Sequence, residues 1–143
     1  MYGSLDIAVS GMIAQRTRLD VITANVVNKD AVLDARGNVN PFQRRLAVFA
    51  PGDPTAKTPQ GRRLGVHIAD IGVDQTPPPL LRYEPDSPLA YKDGEHKGWV
   101  PGTNINGVIE QIDALEAGRA YEACAVAAET TKSMMAQGLR LIA

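Results

Sequence analysis

The N-terminal part of the chain carries a regular apolar stripe. Between Leu5 and Val26 the stripe positions alternate in steps of three and four, which places them on one side of a helix. The stripe consists of Leu5, Ala8, Met12, Gln15, Leu19, Ile22 and Val26, and only Gln15, which interrupts it, is polar. Its spacing is that of a coiled-coil seam, carried for only about three heptads. Because a helix of this length is marginal alone in water, the pattern predicts that it pairs with another helix.

A second helical pattern occupies the C-terminal part of the chain. From Asn104 onward there is no proline, and apolar or small side chains recur at helical spacing. These side chains belong to Ile105, Ile109, Ile112, Ala123, Ala127, Thr130, Met134 and Leu141. Either Asn104 or Asn106 can provide the N-cap. The middle of this stripe is rich in alanine, which lets a partner approach closely, so the two terminal helices are suited to pair with each other.

The middle of the chain alternates between apolar and polar positions, as strands do. Alternation runs from Phe42 to Phe49 and again through Leu64, Val66 and Ile68, and each run is bounded by proline and glycine. Three successive prolines then close this region, because proline cannot donate to a sheet ladder. Residues 80–83 are predicted to form a last short strand.

These patterns divide the chain into four segments. An N-terminal assembly helix (1–30) is followed by a small β-rich region (31–83), a connector rich in proline and glycine that is predicted to be extended (84–103), and a C-terminal assembly helix (104–143). The predicted fold class is α+β. Its N- and C-terminal helices pair as a coiled coil or helical hairpin, with a small β-rich middle region between them.

Composition narrows the range of partners. The 143 residues include 15 basic and 16 acidic side chains, so no overall charge attracts nucleic acid or an anionic membrane, and we expect protein partners. The single cysteine excludes an internal disulfide. The first residues contain no basic stretch before an apolar core, and there is no long apolar run. We therefore expect neither a cleaved signal peptide nor a membrane span.

Few side chains could support catalysis or metal binding. The only candidates are His67, His96, Glu95 and Cys124, and neither their spacing nor their number matches a zinc site. We interpret Cys124 as a small buried hydrophobic residue among alanines, and His67 as an exposed polar residue. A small hydrolase would need these two side chains exposed and within about 3.2 Å of each other once substrate binds. We expect no enzymatic activity, no cofactor and no metal.

Both terminal segments contain motifs that occur together in one superfamily. These are Ser10–Gln15, Leu19–Ile22 and Ala24–Asn28 in the first helix, and Arg119–Ala123, Thr131–Met135 and Leu139 in the last. They resemble the signature of flagellar rod, hook and hook-associated proteins, in which the N-terminal helix ends in an Ala-Asn-x-x-Asn element.

The middle of the chain resembles the short rod proteins of that superfamily. Residues 83–90 and 98–105 are similar to their string of Tyr-x-Pro, x-Pro-x-Ala, Gly-aromatic-Val and Pro-Asn-Val elements, although Trp99 stands where tyrosine is expected and Gly102-Thr103 separates the proline from the asparagine. Hook and distal-rod proteins carry much larger inserts. The resemblance implies a structural subunit of the proximal rod of the bacterial flagellar basal body, polymerising through its terminal helices into a torque-transmitting drive shaft.

The resemblance also implies partners and a location. The expected partners are other copies of the chain, other proximal-rod subunits, the distal rod, the adaptor between the MS ring and the rod, and the flagellar type III export apparatus. Nucleic acid and small-molecule substrates are not expected. The expected location is the periplasmic rod, reached without a cleaved signal peptide. An adaptor or chaperone with a helical-hairpin binding face is the remaining alternative, and it would stay soluble and monomeric.

The predicted assembly interface lies on both terminal helices. On the first helix it comprises Leu5, Met12, Leu19, Ile22, Asn25, Val26 and Asn28, and on the last helix Ile105, Ile109, Ile112, Arg119, Tyr121, Ala123, Met134 and Leu139. Asn25 and Asn28 either end the first helix or bond across subunits. Arg119 either meets a carboxylate, from Glu110, Glu116 or a neighbouring subunit, or extends into solvent. Because both stripes are weak, we expect the termini to be largely disordered in the free monomer and to fold during assembly.

Overall fold

The computed structural model describes residues 2–142, apart from the side chain of residue 142. In chain order the elements are α1 (Tyr2–Val27), β1 (Arg45–Pro51), α2 (Pro59–Leu64), β2 (Val66–Val73), β3 (Leu80–Tyr83), β4 (Trp99–Pro101) and α3 (Gly107–Ile142). The predicted α+β fold, with paired terminal helices and a small β-rich middle region, is confirmed. None of the helices in this part of the chain combines the length and apolarity needed to cross a membrane.

The two long helices, α1 and α3, pair in antiparallel orientation. Three contacts at seven-residue intervals along α1 define the pairing: Gly11 with Cys124, Arg18 with Asp113, and Asn25 with Glu110. Each step toward the N-terminus of α1 therefore corresponds to a step toward the C-terminus of α3. The seven-residue interval is that of a coiled-coil seam, as the sequence pattern predicts.

The residues in this seam are small or polar rather than large and apolar. On α3 the buried positions also recur every seven residues, at Glu110, Ala117 and Thr131, with Cys124 half-buried between them. The large apolar residues of the predicted α3 stripe, such as Ile112, point outward instead. Small side chains allow the helices to approach closely, and hydrogen bonds satisfy the polar ones. Periodicity alone predicts a stripe without specifying which stripe faces the partner helix.

Strands β1 and β2 form an antiparallel pair that lies along α1. Arg45 pairs with Val73 at one end and Pro51 with Val66 at the other, with a bulge between. Near the N-terminal half of α1, the Ser10 hydroxyl accepts a hydrogen bond from the backbone N–H of Val66 at 3.1 Å. Helix α1 therefore lies between α3 on one side and the β1–β2 pair on the other.

The short helix α2 was not predicted, and Leu64, which was expected in a strand, is its last residue. Thr58 caps it by accepting the N–H of Gly61 at 3.1 Å, and Pro59 occupies its first turn. The Asp6 carboxylate on α1 accepts the Thr58 hydroxyl at 2.7 Å, which holds α2 against the helix pair. Six residues are too few for a periodic signal, but the Thr-Pro dipeptide was a usable sign of a helix start.

The segment predicted to be an extended connector folds back on itself. Strand β4 lies within it and pairs antiparallel with β3, and the rings of Tyr83 and Trp99 meet edge to face with centroids 5.7 Å apart. Gly98 has a φ of 83°, and a Cβ there would lie 2.7 Å from the Tyr83 ring. Gly98, one of the glycines that suggested an extended connector, is therefore required by a tight turn and a close ring contact.

Of the two candidate N-caps for α3, Asn106 has this role, because its side-chain oxygen accepts the N–H of Val108 at 3.0 Å. Asn104 instead bonds to the β-region, where its side-chain oxygen accepts the backbone N–H of Arg44 at 2.7 Å. The chain between β4 and α3 is thus tied to the segment that precedes β1.

Candidate assembly surfaces

The outward side of α3 carries a row of large apolar side chains. We call Val108, Ile112, Leu115 and Val126 the outer face of α3; each of them is between 52% and 65% exposed. Their spacing follows a second helical stripe, on the opposite side from the seam with α1. Exposed apolar side chains along one side of a helix make this face a candidate surface for another protein.

The predicted assembly residues of α3 fall mainly on this exposed side. Ile109, Ile112, Arg119, Ala123, Met134 and Leu139 are exposed, whereas Ile105 and Tyr121 are half-buried. Glu110 and Glu116, the intramolecular partners considered for Arg119, are engaged by Arg44 and Arg18 instead. The side chain of Arg119 therefore lies among the exposed residues of α3, and its role in assembly stays a prediction.

The predicted assembly residues of α1 are less accessible. Leu5, Met12, Leu19 and Asn28 are half-buried, Ile22 and Asn25 are buried, and Val26 is exposed. The Asn28 side chain donates to the carbonyl of Ala24 at 2.8 Å, in the last turn of the helix. The side chain of Asn25 makes its hydrogen bonds within the subunit. Of the two roles considered for these asparagines, ending the first helix and bonding across subunits, Asn28 has the first. Asn25 has a role within the subunit that the sequence did not indicate.

A buried cluster of charged and polar groups joins α1, α3 and the chain before β1. We call Arg44, Glu110, Asp113 and Asn25 the Arg44 cluster. The Arg44 Nε donates to Glu110 Oε1 at 2.5 Å and its Nη2 to Asp113 Oδ2 at 2.7 Å. The Asn25 amide donates to Glu110 Oε2 at 2.9 Å. Glu110 is 0% exposed, so both of its oxygens are satisfied by protein donors rather than by solvent.

The charges within the Arg44 cluster favour its ionised form. Burial lowers the pKa of Arg44, but the hydrogen bond and charge of Glu110, together with the charge of Asp113, outweigh it and raise the pKa above its ordinary value. Arg18 adds a second cation on α1, 3.7 Å from Asp113 and 3.5 Å from Glu116. At the end of the hairpin nearest β1, ion pairs between these arginines and the carboxylates of α3 therefore help to hold the helices together.

Asn25 also fixes the position of β1. Its side-chain oxygen accepts the backbone N–H of Arg45 at 2.9 Å, and its amide donates to the carbonyl of the same residue at 2.8 Å. Sequence reasoning missed this cluster. The Arg44-Arg45 pair was visible only as a small basic pair, and a carboxylate that becomes buried cannot be distinguished by sequence from a solvated one.

The side chains considered for catalysis lie apart on different elements. Cys124 is half-buried on α3 opposite Gly11, whereas His67 lies on β2 with its Nδ1 2.6 Å from the carbonyl oxygen of Gly52. His67 is half-buried and hydrogen-bonded, so its interpretation as an exposed polar residue was wrong, and Cys124 is half-buried rather than buried. Within residues 2–142, no group of three or more metal-ligating side chains is close enough together to bind an ion.

These features define a class of subunit in which two terminal helices pair with each other, a small β region packs beside them, and α3 exposes an apolar face. A family model described as "Flagella basal body rod protein" matches residues 5–32. The flagellar basal-body rod protein FlgC of Borreliella burgdorferi is 34% identical over 151 residues, covering 99% of this chain and 97% of the relative. FlgC of Escherichia coli O157:H7 is 36% identical and FlgC of Salmonella typhimurium 35% identical, each covering 95% of this chain and 93% of the relative. The chain belongs to the FlgC family of flagellar basal-body rod proteins.

Proposed function

We propose that this chain is a structural subunit of the flagellar basal-body rod and that it polymerises through its terminal helices. Family membership supports the rod assignment. The observation that supports the role of the helices is the outer face of α3, because a large apolar row on a paired helix is unfavourable in water unless another subunit covers it. Covering apolar area stabilises by roughly 25 cal/mol per Å².

The finer parts of this proposal concern position and partners. The subunit lies in the proximal rod, in the periplasm, and contacts other copies of itself, other proximal-rod subunits, the distal rod and the adaptor to the MS ring. The flagellar type III apparatus exports it without a cleaved signal peptide. The polymer transmits torque. The hydrolase alternative required Cys124 and His67 to lie together, whereas Cys124 packs against Gly11 on α1 and His67 contacts Gly52.

The first test replaces two residues of the outer face of α3, with Ile112→Glu and Leu115→Glu combined, in cells that lack the native gene. Charges at an apolar interface must be desolvated without a partner, so we expect at least about a tenfold loss of the chain from isolated basal bodies, with loss of motility. The amount of the chain is measured by mass spectrometry. Circular dichroism of the purified variant verifies that it still folds, since both positions are exposed.

A matched control changes the charge equally elsewhere. Lys92→Gln combined with Lys97→Gln also makes the net charge more negative by two, in an exposed loop. We expect this variant to support normal motility. Normal incorporation of the outer-face variant would show that this face is not an assembly surface. Motile cells with complete rods after deletion of the gene would overturn the rod assignment and favour the adaptor alternative.

A further inference from the structure

The C-terminal end of α3 extends beyond its partner helix. Since Gly11 is level with Cys124 and Asn25 with Glu110, Tyr2 is level with a position near residue 133. About nine further residues of α3 follow, a length of about 13 Å. We call residues 134–142 the overhang. Within it, Met134, Leu139 and Leu141 are between 57% and 89% exposed. These are large apolar side chains that α1 does not reach.

The overhang also has a definite charge. Residues 134–142 contain Arg140 and no aspartate or glutamate, and Lys132 lies just before the overhang, about two helical turns from Arg140. An apolar and cationic helix end fits a groove that is apolar inside and anionic at its edge.

A groove of this kind runs between α1 and β2. It has a volume of about 630 Å³ and is lined by Ile13 and Ala14 on α1 and by residues 66–71 of β2, with residues 53–55 at one end. Ile13 and Ile71 are exposed in it. The two large side chains provide an apolar floor on which a helix with leucine and methionine side chains can pack.

The charged groups at this groove are carboxylates. Asp53 and Asp70 both line it, and among its described lining residues there is no lysine or arginine. The side-chain and backbone hydrogen bonds from Thr55 lower the pKa of Asp53, so this carboxylate is ionised at neutral pH. Asp70 is exposed at the middle of β2, where an approaching cation can reach it.

The overhang of the same chain cannot occupy this groove. Ser10 and Thr17 mark its limits on α1, and they are level with residues near 125 and 118 of α3. The overhang begins beyond the N-terminus of α1 and continues away from the groove for as long as it stays helical. An overhang in the groove must therefore come from a second molecule.

We propose that the overhang of one copy docks in the α1–β2 groove of a second copy, with Arg140 facing Asp70. This inference rests on the proposed function and adds the contact between neighbouring subunits. The two surfaces differ and lie at different places on the molecule, so the contact is head to tail. Repetition of such a contact gives an open-ended helical polymer rather than a closed dimer.

The first experiment is thiol cross-linking between two tagged versions of the full chain, co-expressed in cells without the native gene. Both versions carry Cys124→Ala; one also carries Ile71→Cys and the other Leu139→Cys. A short bifunctional maleimide is added to isolated basal bodies. We expect a product that carries both tags, and at least about tenfold less product when Lys92→Cys replaces Ile71→Cys, since an unspecific reaction would not distinguish two exposed positions.

The outcomes separate this inference from the proposed function. Basal bodies that contain both tagged versions but give no doubly tagged product overturn the docking. A product that joins the Leu139→Cys version to a different protein assigns the overhang another partner and also overturns it. An equal amount of doubly tagged product from the Lys92→Cys control would also overturn the docking. Basal bodies from which the Cys124→Ala parent chain is itself missing overturn the proposed function instead.

A charge exchange tests the predicted ion pair. Asp70→Arg or Arg140→Asp alone places like charges together, and we expect each to lower the doubly tagged product on the order of fivefold. In the combined exchange, the Ile71→Cys version carries Asp70→Arg and the Leu139→Cys version carries Arg140→Asp. We expect this combination to restore the doubly tagged product to within about twofold of the original. Failure of the combination to restore it would overturn the pairing of Arg140 with Asp70.

Discussion

At the scale of single residues, Glu110 shows how polar side chains specify the pairing of α1 with α3. A buried carboxylate is unfavourable unless donors surround it, and Arg44 and Asn25 provide these donors only when the two helices are in one register. Sliding one helix by a turn would leave the charge buried and unpaired. The small side chains of the seam pack similarly in several registers, so the polar cluster is what selects one.

We expect the Arg44 cluster to be energetically coupled. Glu110→Ala should lower the free energy of unfolding by about 3 kcal/mol, because it leaves the partly buried Arg44 and the Asn25 amide without their main partner. Arg44→Ala should cost less once Glu110 is already alanine, and the difference is measured by a double-mutant cycle in urea. Glu116→Ala is the control, since that side chain is 66% exposed and its pair with Arg18 contributes less than about 1 kcal/mol. Equal effects of the two glutamate substitutions would contradict this account.

At the scale of elements, the sequence predicted the two long helices, the strands β1, β2 and β3, and the family motifs. It did not predict the surfaces on which the helices meet. The α1 contacts at Gly11, Arg18 and Asn25 each lie one position before the predicted Met12, Leu19 and Val26. The predicted stripe and the stripe of observed contacts have nearly the same spacing, and only the buried hydrogen bonds and the close packing distinguish them. Such interactions depend on residues distant in sequence, which a periodic pattern cannot reveal.

Close packing at the seam leads to a prediction for two glycines. A Cβ at Gly11 would lie 2.8 Å from the Cys124 sulfur, whereas a Cβ at Gly118 has no neighbour within 4 Å. We expect Gly11→Ala to lower the thermal midpoint and Gly118→Ala to stabilise by about 1 kcal/mol through helix propensity. Adding Cys124→Ala to Gly11→Ala should recover much of the loss, because it removes the clashing sulfur. If both glycine substitutions stabilise equally, α1 and α3 do not approach as closely as the structure indicates.

At the scale of the whole molecule, the buried core is small. Among the described residues the buried apolar side chains are Ala8, Ala14, Val21, Ile22, Ala90, Val100 and Ala117. Their burial has to offset roughly 1–2 kcal/mol of backbone entropy for each ordered residue. Most of the larger apolar side chains are instead exposed on α1, α3 and the strands. We therefore propose that contacts with neighbouring subunits provide part of the stabilisation of the subunit and so link its folding to its assembly.

Hydrogen exchange can measure this link. In a dilute monomer, verified by its mass in solution, we expect amides of α1 and of α3 to exchange far faster than in isolated basal bodies, because the pair opens at a lower free energy when no neighbours cover it. Peptides from the exposed loop at residues 92–97 serve as an internal control, with rapid exchange in both states. The Ile112→Glu and Leu115→Glu variant should exchange like the wild-type monomer, since it loses only contacts between subunits. A monomer whose terminal helices are already as protected as those in the rod would show that the subunit folds completely before it assembles, and the seam between α1 and α3 would then be sufficient for its stability.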